Sequence, residues 1–385
     1  MAGKSDGEVV IKITGDDREF KKTLEDTGKS AAVVTAALVA MGTAAINVST
    51  KFDAAFAKTQ TIMDATQVSV GDMRKDILDL SATSGMAATD VSEAVYQAIS
   101  GSVATADAAN FVGEANQLAV AGFTSLTNAT DVLTTTLNAY GLEADAVGGI
   151  SNVLIQTQNL GKTSVDELSA SMGKAISTGS AYGVGLANLS TAYVELTKGG
   201  IATAEATTYI SGMLNELGKS SSKVGKIIQE KTGKSFGQLM QDGWSLADVL
   251  DVLMQSVDGN SEALMQLWSS QEAGKAANAL AVQGFDDFNH VLAKMEREMS
   301  GATSTTKDAY SVMTDTSEFV DTRFKNALTN LGVAAGDQLR PALDDVKKGM
   351  TDVLEIGTNI ITGCPEITAG IAGVATTTGT LGIAI

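Results

Sequence analysis

Five places in this sequence carry the Gly-Lys-Ser or Gly-Lys-Thr that ends a phosphate-binding loop, beginning at Gly3, Gly28, Gly161, Gly218 and Gly233. The chemistry would be a cradle of backbone N–H groups around a nucleotide's phosphates, and it needs another glycine five positions earlier. Those positions hold Thr23, Gln156, Met213 and Ile228, and Gly3 has no residue there. Gly183-Val184-Gly185-Leu186-Ala187-Asn188 lacks the third glycine of a dinucleotide fingerprint and follows no strand, so it reads as a turn with Asn188 capping a helix. His290 beside Asp286 and Asp287 could be drawn as a base with an orienting acid, but no motif supplies a nucleophile, and a surface histidine on a helix is the simpler reading. The single histidine is too few for a His-rich metal site. The single cysteine, Cys364 ahead of Pro365, allows no internal disulfide and reads as a loop thiol. No catalytic, cofactor-binding or metal-binding residue is assigned, no cofactor is expected, and the chain is expected not to be an enzyme.

Charge narrows the partners. The formal net charge is -18. From Asp76 to Gly161 there is no Lys or Arg, against Asp76, Asp79, Asp90, Glu93, Asp107, Glu114, Asp131, Glu143 and Asp145. Such a stretch cannot neutralise phosphates, so specific nucleic-acid binding is not expected. Lys219, Lys223, Lys226, Lys231 and Lys234 form a weaker basic cluster, read as a solvated helix face. Nothing apolar follows Met1-Ala2-Gly3-Lys4-Ser5-Asp6 closely enough for a secretory signal.

The elements that would position any functional group are helices. Hydrophobic residues make up 44% of the 385, charged ones 19%, and there are only 2 Pro, so a buried core and long uninterrupted helices are both allowed. Glu8 to Thr14 alternates as a short strand closed by Gly15-Asp16, and Asp16 or Asp17 can cap a helix holding Phe20 and Leu24. Ser30 to Thr50 carries no charge and is rich in Ala and Val; it reads as a buried or self-associating helix continuing through Phe52, Phe56 and Ile62 towards Ala65. From Ser69 to Gly218 helical stripes alternate with glycine stops followed by an apolar residue: Gly85-Met86, Gly122-Phe123, Gly141-Leu142, Gly183-Val184 and Gly200-Ile201. A left-handed glycine ends each helix, and the next residue folds back on the last turn. Start signals lie at Thr89 or Asp90, Thr124 or Ser125, and Thr203, with a capping box from Ser164 to Glu167.

Phe111, Ala115, Leu118 and Gly122 share one face, as do Ala129, Leu133, Leu137 and Tyr140. The spacing alone permits a solenoid, but the segments differ too much for true repeats, and a compact bundle follows. Further helices are expected from Ser245, over Ser261 to Trp268, Gln271 to Ala281 and Phe285 to Met299. Val320, Phe324, Leu328, Leu331 and Ala335 stripe one long amphipathic helix from Thr303 to Leu339, and Pro341 bends or restarts it. Ile367 to Ile385 is uncharged and Gly-rich, and its abrupt end reads as a cut from a longer chain.

The fold class is therefore mainly α: a compact multi-helix bundle of short helices flanked by long N-terminal and C-terminal helices, with one short N-terminal β-strand. The expected parts are 1–30, strand plus helix; 31–68, a long Ala-rich helix; 69–300, the helical core; 301–355, the long amphipathic helix; and 356–385, the apolar Gly-rich segment.

The order of several pieces resembles phage tail tape measure proteins over about Phe52 to Ala293. They are Phe52-Asp53-Ala54-Ala55-Phe56, Leu80 to Gly85, Asp90 to Ala94, Glu114 to Gly122, Asp131 to Leu142, Thr163 to Leu168 and Tyr193 to Ile201. The opening strand also resembles the start of such proteins. Each piece is a helix-cap signature and carries no catalytic group. Tape measure proteins run much further, sometimes into a C-terminal hydrolase domain that nothing here matches. The resemblance implies a structural role: extension along the tail lumen, setting tail length during assembly, and aiding genome ejection through the host envelope. A fully helical chain of this length would reach roughly 580 Å at about 1.5 Å per residue. Implied partners are tail-tube proteins, tail assembly chaperones and distal tail or baseplate proteins, with self-association through the long helices and contact with the host membrane. The implied places are the tail lumen of the virion, the host cytoplasm during assembly, and the host membrane at infection. The alternative is a membrane-perturbing helical protein, pore-forming or toxin-like, acting through Ser30 to Thr50 and Ile367 to Ile385, since about 20 apolar residues span a bilayer.

Overall fold

The computed structural model describes residues 47–334, and these are mainly helical. The strand expected over 8–14, most of the uncharged 30–50 segment and all of 367–385 lie outside them. The chain divides into two units. Of the unit made of Met1–Thr50 and Leu331–Ile385, only 47–50 and 331–334 are described, both helical. The other unit, Lys51–Asn330, holds the core and extends on both sides of the 69–300 region marked out by the sequence.

This unit opens on α1, which is helical to residue 60. Phe52 and Phe56, both 1% exposed, stack at 5.8 Å between ring centres. The Arg74 guanidinium covers Phe52 at 4.7 Å and pairs with Asp53 at 2.8 Å. The apolar spacing predicts a helix continuing to Ala65, but side chains turn the backbone first. Asp64 Oδ1 accepts the N–H and hydroxyl of Thr66 at 2.9 and 2.7 Å, and the Asp64 N–H donates to Thr105 Oγ1 at 3.0 Å. A carboxylate bonding its own backbone two residues on offers the chain a turn in place of the next helical bonds.

Then come α2 (Val70–Ser84), α3 (Ala88–Ser100), α4 (Ala108–Ala121) and α5 (Leu126–Tyr140). A 3-10 turn, Ala144–Ala146, leads into α6 (Val147–Leu160), α7 (Val165–Ser171), α8 (Gly173–Ala181), α9 (Leu186–Lys198) and α10 (Thr203–Gly218). The two predicted stripes are buried: Phe111, Ala115 and Leu118 on α4, and Ala129, Leu133 and Leu137 on α5.

Glycine stops at Gly85, Gly141, Gly183 and Gly200 have positive φ, as the spacing predicts. Gly122 differs. Its φ is -97°, and the left-handed residue is Phe123, at φ 54°. A β-carbon on Gly122 would lie 2.6 Å from Val165 Cβ, so this glycine serves close helix approach while its neighbour makes the turn. Phe123 is 67% exposed and does not fold back. The Thr124 N–H bonds Ala119 O at 2.9 Å in its place.

The capping box at Ser164 and Glu167 is formed, and Ser125 accepts the Asn128 N–H. Neither Thr89 nor Asp90 starts α3; Ala87 stands at that position without a side-chain cap. Thr203 is the first residue of α10, and its hydroxyl meets Thr163 Oγ1 at 2.8 Å.

The chain continues through α11 (Lys223–Thr232), α12 (Phe236–Gln241), α13 (Leu246–Gln255), α14 (Ser261–Met265), α15 (Gln271–Gln283) and α16 (Phe285–Met299). Here α15 returns to α10, and α16 lies against α6 and α9. Leu154, Ile155, Leu168, Tyr193 and Phe288 are among its largest fully buried side chains.

The long helix expected from Thr303 is two helices, α17 (Thr305–Thr314) and α18 (317–334). Asp315 leaves helical geometry at ψ 44°, and the Thr316 hydroxyl accepts the Phe319 N–H at 3.3 Å, starting a new helix. The break lets α17 pack on α4 and α6 while Phe319 sits edge-on to Tyr310, ring centres 6.2 Å apart.

Candidate interaction surfaces

Among the described residues, the Gly-Lys-Ser/Thr motifs are helix ends. Gly161 caps α6 through a bond to Thr157 O, and the Lys162 N–H donates to Thr197 Oγ1 at 3.2 Å. Gly218 closes α10. Gly233 caps α11 at φ 74°, and Ser235 starts α12 with a capping box to Gln238. Around Gly161 and Gly233 these N–H groups and hydroxyls already have partners inside the fold, which a phosphate cradle would need free.

Asn188 does cap a helix, though not its own: its Oδ1 accepts the Leu246 N–H at 2.9 Å, holding the start of α13, while Gly185 stands at the start of α9. His290, Asp286 and Asp287 are all exposed along α16. Cys364 lies outside the described residues. In the basic cluster, Lys234 pairs with Asp242 at 2.6 Å, and Lys219, Lys223, Lys226, Lys231 and Lys234 are all exposed, a solvated surface. Among the described residues no group of three or more His, Cys, Asp or Glu could hold a metal ion. No helix there is long and apolar enough to cross a membrane.

Displaced protonation equilibria follow structure. The hydroxyl of Thr124, at 2.7 Å, and the amide of Asn128, at 3.0 Å, hold the Asp166 carboxyl below its usual range. Burial pushes the phenols of Tyr140 and Tyr193 well above their usual 10.0. Tyr140 donates to Val184 O at 3.1 Å, and the Tyr193 hydroxyl meets Thr207 at 2.5 Å. These tyrosines hold helices together.

Two surfaces stand out. The first is a cleft of about 530 Å³ lined by Asp107 just before α4, Phe111 and Glu114 of α4, Glu143 just before the 3-10 turn and Asp145 within it, Gly148 of α6 and Lys307 of α17. A smaller cavity of about 250 Å³ adjoins it, sharing Glu114, Asp145, Gly148 and Lys307 and adding Asn152, Thr303 and Thr306. Asn152 ties its walls together, its Oδ1 accepting the Thr306 N–H at 2.9 Å and its Nδ2 donating to Thr303 O at 3.0 Å. The acids were visible as a base-free run in the sequence; Lys307, over 160 residues away in the chain, and the fold that brings it there were not.

The second surface is one side of α18. Val320, Phe324 and Leu328 are 58%, 64% and 51% exposed, and Leu331, next in the stripe, is 65% exposed. Ala335 lies outside the described residues. Another side of α18 is held down: Asn330 Nδ2 donates to Leu78 O and to Ser81 Oγ, both at 3.1 Å.

Comparison with known proteins places this architecture in context. The model of the family described as phage-related minor tail protein matches residues 74–267. A probable tape measure protein of Clostridium phage phiCD119 is 29% identical over 342 residues, 86% of this chain and 36% of that protein. The tape measure protein of Pneumococcus phage Dp-1 is 21% identical over 329 residues, 85% of this chain and 28% of that protein. The chain thus spans about a third of the length of these curated relatives. No solved structure matches.

Proposed function

This chain belongs to the phage-related minor tail protein family, and from that premise we propose that it is a portion of a tape measure protein that sets tail length during assembly and helps the genome leave through the host envelope. The observation that carries the reading is the alignment with two tape measure proteins over 86% and 85% of the chain. The role is structural and needs no reactive centre. Its partners would be tail-tube proteins, tail assembly chaperones and distal tail or baseplate proteins, and its place the tail lumen.

The exposed apolar stripe of α18 supports self-association, since apolar side chains at such spacing on a helix are stabilised by a second helix laid along them. The net negative charge of the chain would repel DNA in a shared lumen and let the genome pass without sticking. Nothing among the described residues favours the membrane-perturbing alternative.

The test is genetic. Inserting 70 helix-forming residues in the phage gene, beyond the part encoding this chain, should lengthen the tail by about 105 Å at ~1.5 Å per residue. An unchanged tail length in assembled particles would refute the ruler.

A further inference from the structure

We infer that the apolar stripe of α18 is a seam for a second copy of this chain, and that the two helices meet on an eleven-residue repeat and wind round each other with a right-handed twist. The inference rests on the self-association reading above and adds which residues meet and at what period.

The period lies in the spacing. Val320, Phe324 and Leu328 stand four apart, and the next apolar position of the stripe, Leu331, comes three later. Eleven residues on from Val320, Phe324 and Leu328 stand Leu331, Ala335 and Leu339, and eleven further on stand Ala342, Val346 and Met350. All nine positions are apolar, over residues 320–350. A seven-residue seam through Phe324 and Leu331 would instead take in Ala327, Ala334, Gln338, Pro341 and Asp345, and would leave Leu328 and Leu339 off it. The longer repeat therefore fits and the shorter one does not. Eleven residues in three turns is about 3.67 per turn, above the 3.6 of a straight helix, and helices that follow such a stripe coil to the right.

The fold turns this stripe outward. Asn330 reaches Leu78 and Ser81 from another side of α18, and Phe319 lies so close to Gly85 that a β-carbon there would meet its ring at 2.8 Å. Phe319 and Asn330 are themselves eleven residues apart, on a face turned by about 130° from the middle of the stripe at ~3.67 residues per turn. The body thus holds α18 by one face, while Val320, Phe324, Leu328 and Leu331 are each more than half exposed on the other. Asp321 and Lys325 border the stripe on one edge and Arg323 on the other, all exposed, a charged rim of both signs around an apolar seam.

Step and length select the occupant. Two helices stay in contact along a repeat only when both carry it, and an identical chain does. The uncharged segment near the N-terminus keeps a different step: Leu38, Met41, Ala45, Val48 and Phe52 alternate three and four apart, a seven-residue period that would drift off the α18 stripe. Residues 320–350 are also longer than the three to four heptads, about 21–28 residues, expected of a sustained coiled coil.

The test is sedimentation velocity of the full chain over a concentration series, and association that grows with concentration is expected. Leu328→Gln with Leu339→Gln, on the eleven-residue seam alone, should raise the dissociation constant by about a hundredfold or more. Ala327→Gln with Ala334→Gln, on the seven-residue seam alone, should leave it within about threefold. Leu328 is exposed, so Leu328→Gln by itself should weaken association while helix content and unfolding temperature hold. Equal weakening by both pairs, or weakening by the alanine pair alone, would overturn the eleven-residue seam and leave self-association standing. Association unchanged by either pair would move the contact off α18. A chain that stays monomeric at every concentration would remove the self-association reading itself.

Discussion

At the scale of single residues, Gly122 and Gly141 both end helices but do different work. Gly141 sits at φ 63° with open space around its α-carbon, and Gly122 sits at φ -97° against Val165. Gly141→Ala should cost about 1–2 kcal/mol from left-handed strain alone. Gly122→Ala should cost about 1–3 kcal/mol from overpacking, and Val165→Ala should relieve part of it. Urea unfolding of the singles and the doubles decides this. Coupling to Val165 is expected for Gly122 and none for Gly141; the reverse would refute the assignment.

Tyr140 and Tyr193 make a second residue-scale prediction. Burial raises both phenols, so the folded state resists losing their protons. The unfolded chain releases them near 10.0, and their stabilisation is complete below that pH and lost as pH rises above it. The protein should therefore lose stability faster above pH ~10 than the double variant Tyr140→Phe with Tyr193→Phe, in unfolding followed against pH. Identical alkaline slopes would contradict it.

Elements in this molecule are started by local side chains and placed by distant ones. Ser164 caps α7 from the adjacent position, and Asn188 caps α13 from another helix. Ser164→Ala should cost about 1 kcal/mol. Asn188→Ala should cost a similar amount, by leaving the Leu246 N–H without its acceptor, about 1 kcal/mol or more. Guanidinium melts of both variants test this, and a neutral Asn188→Ala would show that Ser245 suffices for α13. For α18, replacing Val320, Phe324 and Leu328 with Ser should leave the unfolding temperature within a few degrees, because these side chains are exposed. The same change should shift sedimentation of the full chain towards monomer; unchanged association would place the self-contact elsewhere.

For the whole molecule, net charge governs behaviour towards nucleic acid. At -18, with a base-free run from Asp76 to Gly161, the chain should fail to retain linear duplex DNA at physiological salt. Lowering the salt should not help, because weaker screening strengthens the repulsion between like charges. Tight retention in a mobility-shift assay would contradict a surface that lets DNA pass. The compact unit Lys51–Asn330 contains the whole family-matched span of 74–267, so the part of this chain that the family model matches lies in its helical body.

Much of this architecture is local and was legible in the residues themselves. Ser164 and Glu167, Ser245 and Asp248, and the stripe of Ala129, Leu133 and Leu137 act within one or two turns, so spacing alone places them. The failure of every phosphate-loop motif is likewise a matter of spacing. What spacing cannot carry is contact between distant segments. The role of Gly122 depends on Val165, and the early end of α1 depends partly on Thr105. The break at Asp315 and Thr316 lets α17 fold back on α4 while α18 keeps its apolar stripe in solvent. The cleft forms only where Lys307 and Thr306 meet Glu114 and Asp145. Periodicity tells which face of a helix is apolar; the packing of the other helices decides whether that face is covered.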